Sequence, residues 1–215
     1  MTDKLRGPFK IWRDPSPGTK YLISADVSDG LKDGDYSVAD VWDCQTREQM
    51  AQWHGHIIPH DFANTLFLLG CFYNWALMIP EVNNHGATVC HLLEAKKYPN
   101  LYYRDDLKRG GTTYGFLTTS QNKERIIDSA RSAVRNMAVK INSERTISEC
   151  RSFVKVSAHK MEAAGESFDD CVMSLAIAMY ILDTTTNIPQ PVMRQESTDF
   201  NSVMGLHENP SRRIF

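Results

Sequence analysis

Two short apolar runs, Tyr21-Leu-Ile-Ser-Ala-Asp26 and the unbroken Ala76-Leu-Met-Ile-Pro-Glu81, each close on an acidic residue. Runs this short and this continuous read as strands covered on both sides, as in the parallel part of a layered sheet. A chain carrying them must supply helices to both faces of that sheet. The rest of the pattern fills in around them. Ser37 to Asp43 is a second β-rich run. Ala51, Trp53, Gly55 and Ile57 then alternate with Gln52, His54 and His56, which predicts a third strand with one wet face. Short connections make these first three strands an antiparallel meander.

Beyond Pro59 the spacing turns helical. Phe62, Leu66, Leu69 and Phe72 share one face, with Asp61 as an N-cap candidate. Gly86 to Lys97, the long stretch from about Ser120 to Lys140, and the apolar Phe168 to Leu182 read as further helices. Leu101 to Arg104 and Phe153 to Val156 read as short strands. Residues 1–18, ending in Asp14-Pro15-Ser16-Pro17-Gly18, read as an irregular lead-in, and residues 184–215 as a polar, Pro-punctuated tail. One domain over residues 1–183 is expected. Its class is α/β: a mixed sheet of three antiparallel strands followed by parallel strands, with helices on both faces.

Composition narrows the function classes. At 42% apolar and 23% charged residues the chain is an ordinary globular one, and no apolar stretch approaches the roughly 18 residues of a membrane span. The N-terminus has no apolar signal-peptide core. A net charge of −2 gives no electrostatic sign of nucleic acid. Cys44, Cys71, Cys90, Cys150 and Cys171 are odd in number and contain no C-x-x-C pair, which favours reduced, buried thiols over disulfides or a thiolate zinc site. No phosphate-binding G-x-x-x-x-G-K-[ST] and no G-x-S-x-G occur. The run from Asp29 to Asp40 fails as a calcium loop, because Leu31 stands where an oxygen ligand is needed. His54, His56 and His60 have a metal-like look but read as the solvated face of a strand. His85 and His159 lie close in sequence to acidic positions and read as surface or structural histidines, with a supporting or proton-transfer role open.

The acids carry the chemistry. Asp26 and Glu81 each end a strand, where open α/β sheets bind ligands, and Asp169 and Asp170 lie in the first turn of the last helix. Alone, each has an ordinary reading as a turn residue, a strand-end charge or a helix cap. Together they would form a cluster whose mutual repulsion is relieved by hard divalent cations, which take oxygen ligands. Two such cations about 3.5–4 Å apart serve phosphodiester hydrolysis by activating a water and neutralising the leaving oxygen. Arg104, Lys108, Arg109 and Lys123 lie around the expected mouth and are candidates for DNA backbone contacts.

These residues resemble the nuclease domain of tailed-bacteriophage terminase large subunits. YLISADVSDGLKDGDYSVADVWD resembles its opening strands, MIPEVNNHG its second acidic motif, YGFLTTSQNKERIID the segment before its long helix, and AAGESFDDCVMSLAIAMYIL its closing Asp-Asp helix. They occur in the family's order over about residues 8–183. The resemblance implies a ribonuclease H-like fold and two Mg²⁺ or Mn²⁺ ions held by Asp26, Glu81, Asp169 and Asp170. It implies cleavage of double-stranded DNA with little sequence preference, separating unit genomes from a concatemer in the host cytoplasm. An upstream ATPase domain of the same subunit, a portal and a small terminase subunit are its implied partners, and no membrane is involved. Many members carry a histidine where this chain has Phe168. Another ribonuclease H-like nuclease, such as a junction resolvase or transposase core, and a non-catalytic docking module remain the alternatives.

Overall fold

The computed structural model describes residues 8–32, 34–106, 111–157, 160–163, 169–189 and 191, the side chains of 105, 106 and 154–163 excepted. In chain order the elements begin with β1 (Phe9–Ile11), β2 (Tyr21–Asp26), β3 (Ser37–Asp43) and β4 (Gln49–Gly55). Then come α1 (Pro59–Phe72), β5 (Leu77–Pro80), α2 (Gly86–Ala95), β6 (Tyr103–Asp106) and β7 (Gly111–Tyr114). The chain continues through α3 (Lys123–Arg135), α4 (Glu144–Ser152), β8 (Phe153–Ser157), β9 (Lys160–Ala163) and α5 (Asp170–Thr184). The central sheet runs β1-β4-β3-β2-β5. β2, β3 and β4 are the antiparallel meander, and β5 joins parallel to β2. This is the expected mixed sheet of ribonuclease H-like type.

Strand parity splits the core into two layers. Along β2, Tyr21, Ile23 and Ala25 pack with Phe62 and Leu66 of α1 and with Val89 and Leu93 of α2. Leu22, on the opposite face, joins Leu77 and Ile79 of β5, Ile126 and Ile127 of α3, and much of α5. Each layer follows from the two-residue period of a strand. α5 is apolar around most of its circumference because it lies between the sheet and α3, and eleven of its residues are buried. A fully buried residue there, such as Ile177, contributes about 1.5–3 kcal/mol. The Ser24 and Ser174 hydroxyls, 3.0 Å apart, pair inside this layer and set how α5 lies along β2.

Several segments depart from the sequence reading. Phe9–Ile11, within the stretch read as irregular lead-in, pairs antiparallel with β4. The long helical stretch stops at Arg135: Met137 turns left-handed (φ 52) and the Ala138 N–H reaches back to the Ala133 carbonyl, a helix-ending turn. A separate helix, α4, follows, capped by the Ser143 side chain. Leu101 makes one parallel bridge to Met78, whereas β6 turns away to form a hairpin with β7, and β8 forms a second hairpin with β9. The parallel part of the sheet is therefore the β2–β5 pair extended by single bridges. The wet face expected for β4 is dry. Gln52 and His54 are buried, because α4 and the start of α5 pack over them.

Candidate functional site

The same parity that builds the core aims the two strand-end acids. Asp26 continues the face of Leu22 and Ser24, and Glu81 continues that of Leu77 and Ile79, so both turn towards the α3–α5 layer. The Glu81 N–H donates to the Ala25 carbonyl at 2.8 Å, placing the two acids at neighbouring carboxyl ends of parallel strands. α5 packs across β2 with Ser174 over Ser24, which brings its first turn, Asp169 and Asp170, over the same end. The four acids, far apart in the chain, are thus gathered near one end of the sheet, close enough to act on one another's charge. Asp26, Asp169 and Asp170 line one cleft of about 340 Å³ together with Asp29, Asp35, Tyr36 and His85. Glu81 is not in the cleft wall but stands beside Asp26, close enough to hydrogen-bond with it.

Their electrostatics follow from crowding. Burial, then the charges of Glu81, Asp170 and Asp169, holds the Asp26 carboxyl well above the usual carboxylate range. Burial likewise raises Glu81, and Asp169 adds to it, while Thr118, Asp26 and the Lys123 ammonium act against it. Asp170 is pushed up to about 7, mainly by burial and further by Asp35, Glu149 and Asp169, although the Tyr36 N–H donates to its Oδ2 at 3.1 Å. Carboxyls raised by burial in the company of other acids, as Asp26, Glu81 and Asp170 are, accept positive charge readily.

The surroundings hold the acids in place. Asn83 Nδ2 donates to Glu81 Oε1 at 3.1 Å and to the Thr118 carbonyl at 3.0 Å, tying the loop after β5 to the segment before α3. Gly86 begins α2 with its Cα against the Glu81 carbonyl, so that any Cβ there would collide with that oxygen. The loop after β2 is folded by the Ser28 and Ser37 hydroxyls, 3.1 Å apart, with Ser37 Oγ also accepting from the Ser28 N–H. This loop presents Asp29 and Asp35, two cleft acids that sequence reasoning passed over. Their signal was the Asp-Gly-rich run itself, which fails as a calcium loop yet still delivers carboxylates to the site.

The basic candidates separate. Lys123, at the start of α3, lies near enough to Glu81 to lower its proton affinity, so it borders the acids. Arg104 spends its Nη1 on the Tyr114 and Gly115 carbonyls at 3.1 and 2.6 Å, bracing the β6–β7 hairpin. Lys108, Arg109, His159 and Phe168 lie outside the described residues. His85 borders the cleft, and His60 makes a surface contact with Asp61. The tightest group of three potential metal ligands among the described residues is elsewhere: His54, Glu149 and Cys171.

A mixed sheet of this strand order, covered by helices on both faces, is of the ribonuclease H-like fold class. Within that class the fold is that of large terminase nuclease domains. The large terminase nuclease from thermophilic phage G20c superposes with a TM-score of 0.64 at 24% identity, covering 81% of this chain and 89% of that one. Its magnesium-bound structure matches with the same score and identity over 82% and 88% of the two chains. The Thermus phage P74-26 large terminase nuclease domain gives a TM-score of 0.62 at 22% identity, covering 86% and 90%. The G20c nuclease has also been solved with cobalt and with zinc. No protein-family model matches the sequence, and no curated protein sequence matches it.

Proposed function

We propose that this chain is a metal-dependent endonuclease domain that hydrolyses phosphodiester bonds of double-stranded DNA with little sequence preference, cutting concatemeric viral DNA during genome packaging in the host cell. The observation that carries the reading is the meeting of Asp26, Glu81, Asp169 and Asp170 at the carboxyl end of the β2–β5 pair. The likeness to terminase nucleases supports the context: an ATPase domain of the same subunit, a portal and a small terminase subunit as partners. Among the described residues no helix is long and apolar enough to cross a membrane.

The donor set is all oxygen and strongly anionic, which fits hard divalent cations such as Mg²⁺ or Mn²⁺ rather than softer ones. Asp26, Glu81 and Asp169 or Asp170 would together hold two such ions. When bound, the cations supply an acidified water and charge neutralisation at the phosphate. The protein's own part is positional. Asn83 fixes the Glu81 carboxylate, the Tyr36 N–H fixes Asp170, and Lys123 adds a positive charge beside the acids where a DNA phosphate would approach.

Incubation of the purified chain with supercoiled plasmid and with linear duplex tests this. Both substrates should be degraded with Mn²⁺ or Mg²⁺, neither with chelator, and Asp26→Ala should lose cleavage while keeping its circular dichroism spectrum. Cleavage confined to four-way junctions would favour a resolvase. Degradation by Asp26→Ala at the wild-type rate would reject the site.

A further inference from the structure

Away from the acidic cleft, His54 of β4, Glu149 of α4 and Cys171 of α5 converge, with an imidazole nitrogen, a carboxylate oxygen and the sulfur all within 4.8 Å of one another. They come from three separate elements, and all three residues are buried, His54 at 9% exposure. The ordinary explanation is a polar patch satisfied by hydrogen bonds, and part of it is that: Glu149 Oε2 accepts from the Cys171 N–H at 2.9 Å, completing the first turn of α5. One ligand atom is left over. His54 Nε2 is buried with no hydrogen-bond partner, a costly state for a ring nitrogen. The Cys171 thiol hydrogen-bonds with Glu149 and Thr146, and its amide neighbour, Gln52 Nε2 at 3.8 Å, also serves Asp40 and Thr146, both at 2.9 Å. An amide nitrogen carries only two N–H donors, so the sulfur is its weakest claim.

We propose that His54, Glu149 and Cys171 form a second cation site, distinct from the acidic cleft and selective for zinc-class ions. The chemistry of the donors separates the two sites. A thiolate with an imidazole and a carboxylate is a borderline-soft set that zinc favours, whereas the cleft offers oxygen alone to harder ions. Burial, with the Arg145 charge adding to it, pushes the His54 imidazole down to about 4, so the ring is neutral and its lone pair is available at neutral pH. On binding, the metal–sulfur bond forms as the thiol proton leaves to solvent. A dication with one thiolate and one carboxylate then sums to zero charge, the condition a buried site requires. Three side chains supply three of four tetrahedral positions, and a water completes them. The ion would pin α4 and the first turn of α5 to the sheet, one residue from Asp170. The absence of a C-x-x-C pair, which argued against a thiolate zinc site in the sequence, excludes paired-cysteine sites but not a site assembled from three distant elements.

Cobalt substitution tests this, whatever the cleft does. The chain is stripped with chelator and titrated with Co²⁺ in excess Mg²⁺, following the near-ultraviolet thiolate-to-cobalt charge-transfer band. One equivalent should bind with that band, and Zn²⁺ should abolish it by displacement. Cys171→Ser and His54→Gln should lose the band, and Asp26→Asn should keep it. Zn²⁺ should raise the melting temperature of the wild type by several degrees and leave that of Cys171→Ser unmoved. If Cys171→Ser does not fold, Glu149→Gln serves: it retains the hydrogen bond to α5 yet should bind Co²⁺ at least tenfold more weakly. A missing band, a band surviving in Cys171→Ser, or wild-type affinity in Glu149→Gln would overturn the site.

Discussion

Replacing Asp170 with Asn should make the metal-free protein more stable at neutral and higher pH. Asp170 is 6% exposed and holds its proton up to about 7, against 3.8 for the free side chain. The sign follows from proton counting. Between those two values the folded chain retains a proton that the unfolded chain has lost, so raising the pH weakens the fold. The contribution is fully present below about 3.8 and gone once the pH passes about 7. At about 1.4 kcal/mol per pH unit, the span caps the loss at about 4 kcal/mol. Asp35, Glu149 and Asp169 are the charges that raise Asp170 after burial itself, and they readjust as it ionises, so a measured difference of about 2 kcal/mol is expected. Asn keeps an oxygen for the Tyr36 N–H and cannot ionise. Urea unfolding in chelator should therefore show Asp170→Asn more stable than wild type above pH 7, with the two curves drawing together in acid. Excess Mn²⁺ should reverse the order, because the wild type gains binding energy that the variant lacks. Coincident curves across the whole pH range, or a variant weaker than wild type at high pH without metal, would refute the claim that these acids repel one another in a desolvated cleft.

Gly86→Ala forces a Cβ into the Glu81 carbonyl and should cost about 1–3 kcal/mol in thermal unfolding, with a loss of cleavage, because the collision falls on the backbone of an acid. Asn83→Ala leaves Glu81 Oε1 without its amide donor and should weaken Mn²⁺ binding by roughly tenfold in calorimetric titration, with little change in stability. Ile177→Ala, in the buried stripe of α5, should cost about 2–5 kcal/mol in chemical denaturation. Asp183→Asn breaks a partly exposed pair with Arg47 Nη1 at 2.7 Å and should cost less than about 1 kcal/mol, shrinking further in high salt.

Some of the architecture was written in local pattern. β2 and β3 begin and end where their apolar runs do, because a strand's period of two and its flanking turn residues are properties of neighbours in sequence. α5 was equally visible, its long apolar run announcing a helix covered all round. α4 was not. In ERTISECRS only Thr146 and Glu149 are buried, so no apolar stripe marks it. β1 is three residues long and owes its form to β4, about forty positions away. His54 was misjudged for the same reason. Alternation along β4 separates its two faces correctly, but whether the polar face is wet depends on α4 and α5, which arrive from far along the chain.

The sequence by itself determined which residues carry charge at the ends of strands and which face each would take, since parity from Leu22 to Asp26 and from Leu77 to Glu81 is fixed by the backbone. It determined that the central sheet needs helices on both sides. Only the tertiary structure decided that Asp26, Asp169 and Asp170 line one cleft with Glu81 beside it, that Asp29 and Asp35 join it, and that Cys171 faces His54 and Glu149. Those meetings depend on how β5 registers beside β2 and how α5 lies across the sheet. Both are set by packing between segments more than fifty residues apart, where no local pattern reaches.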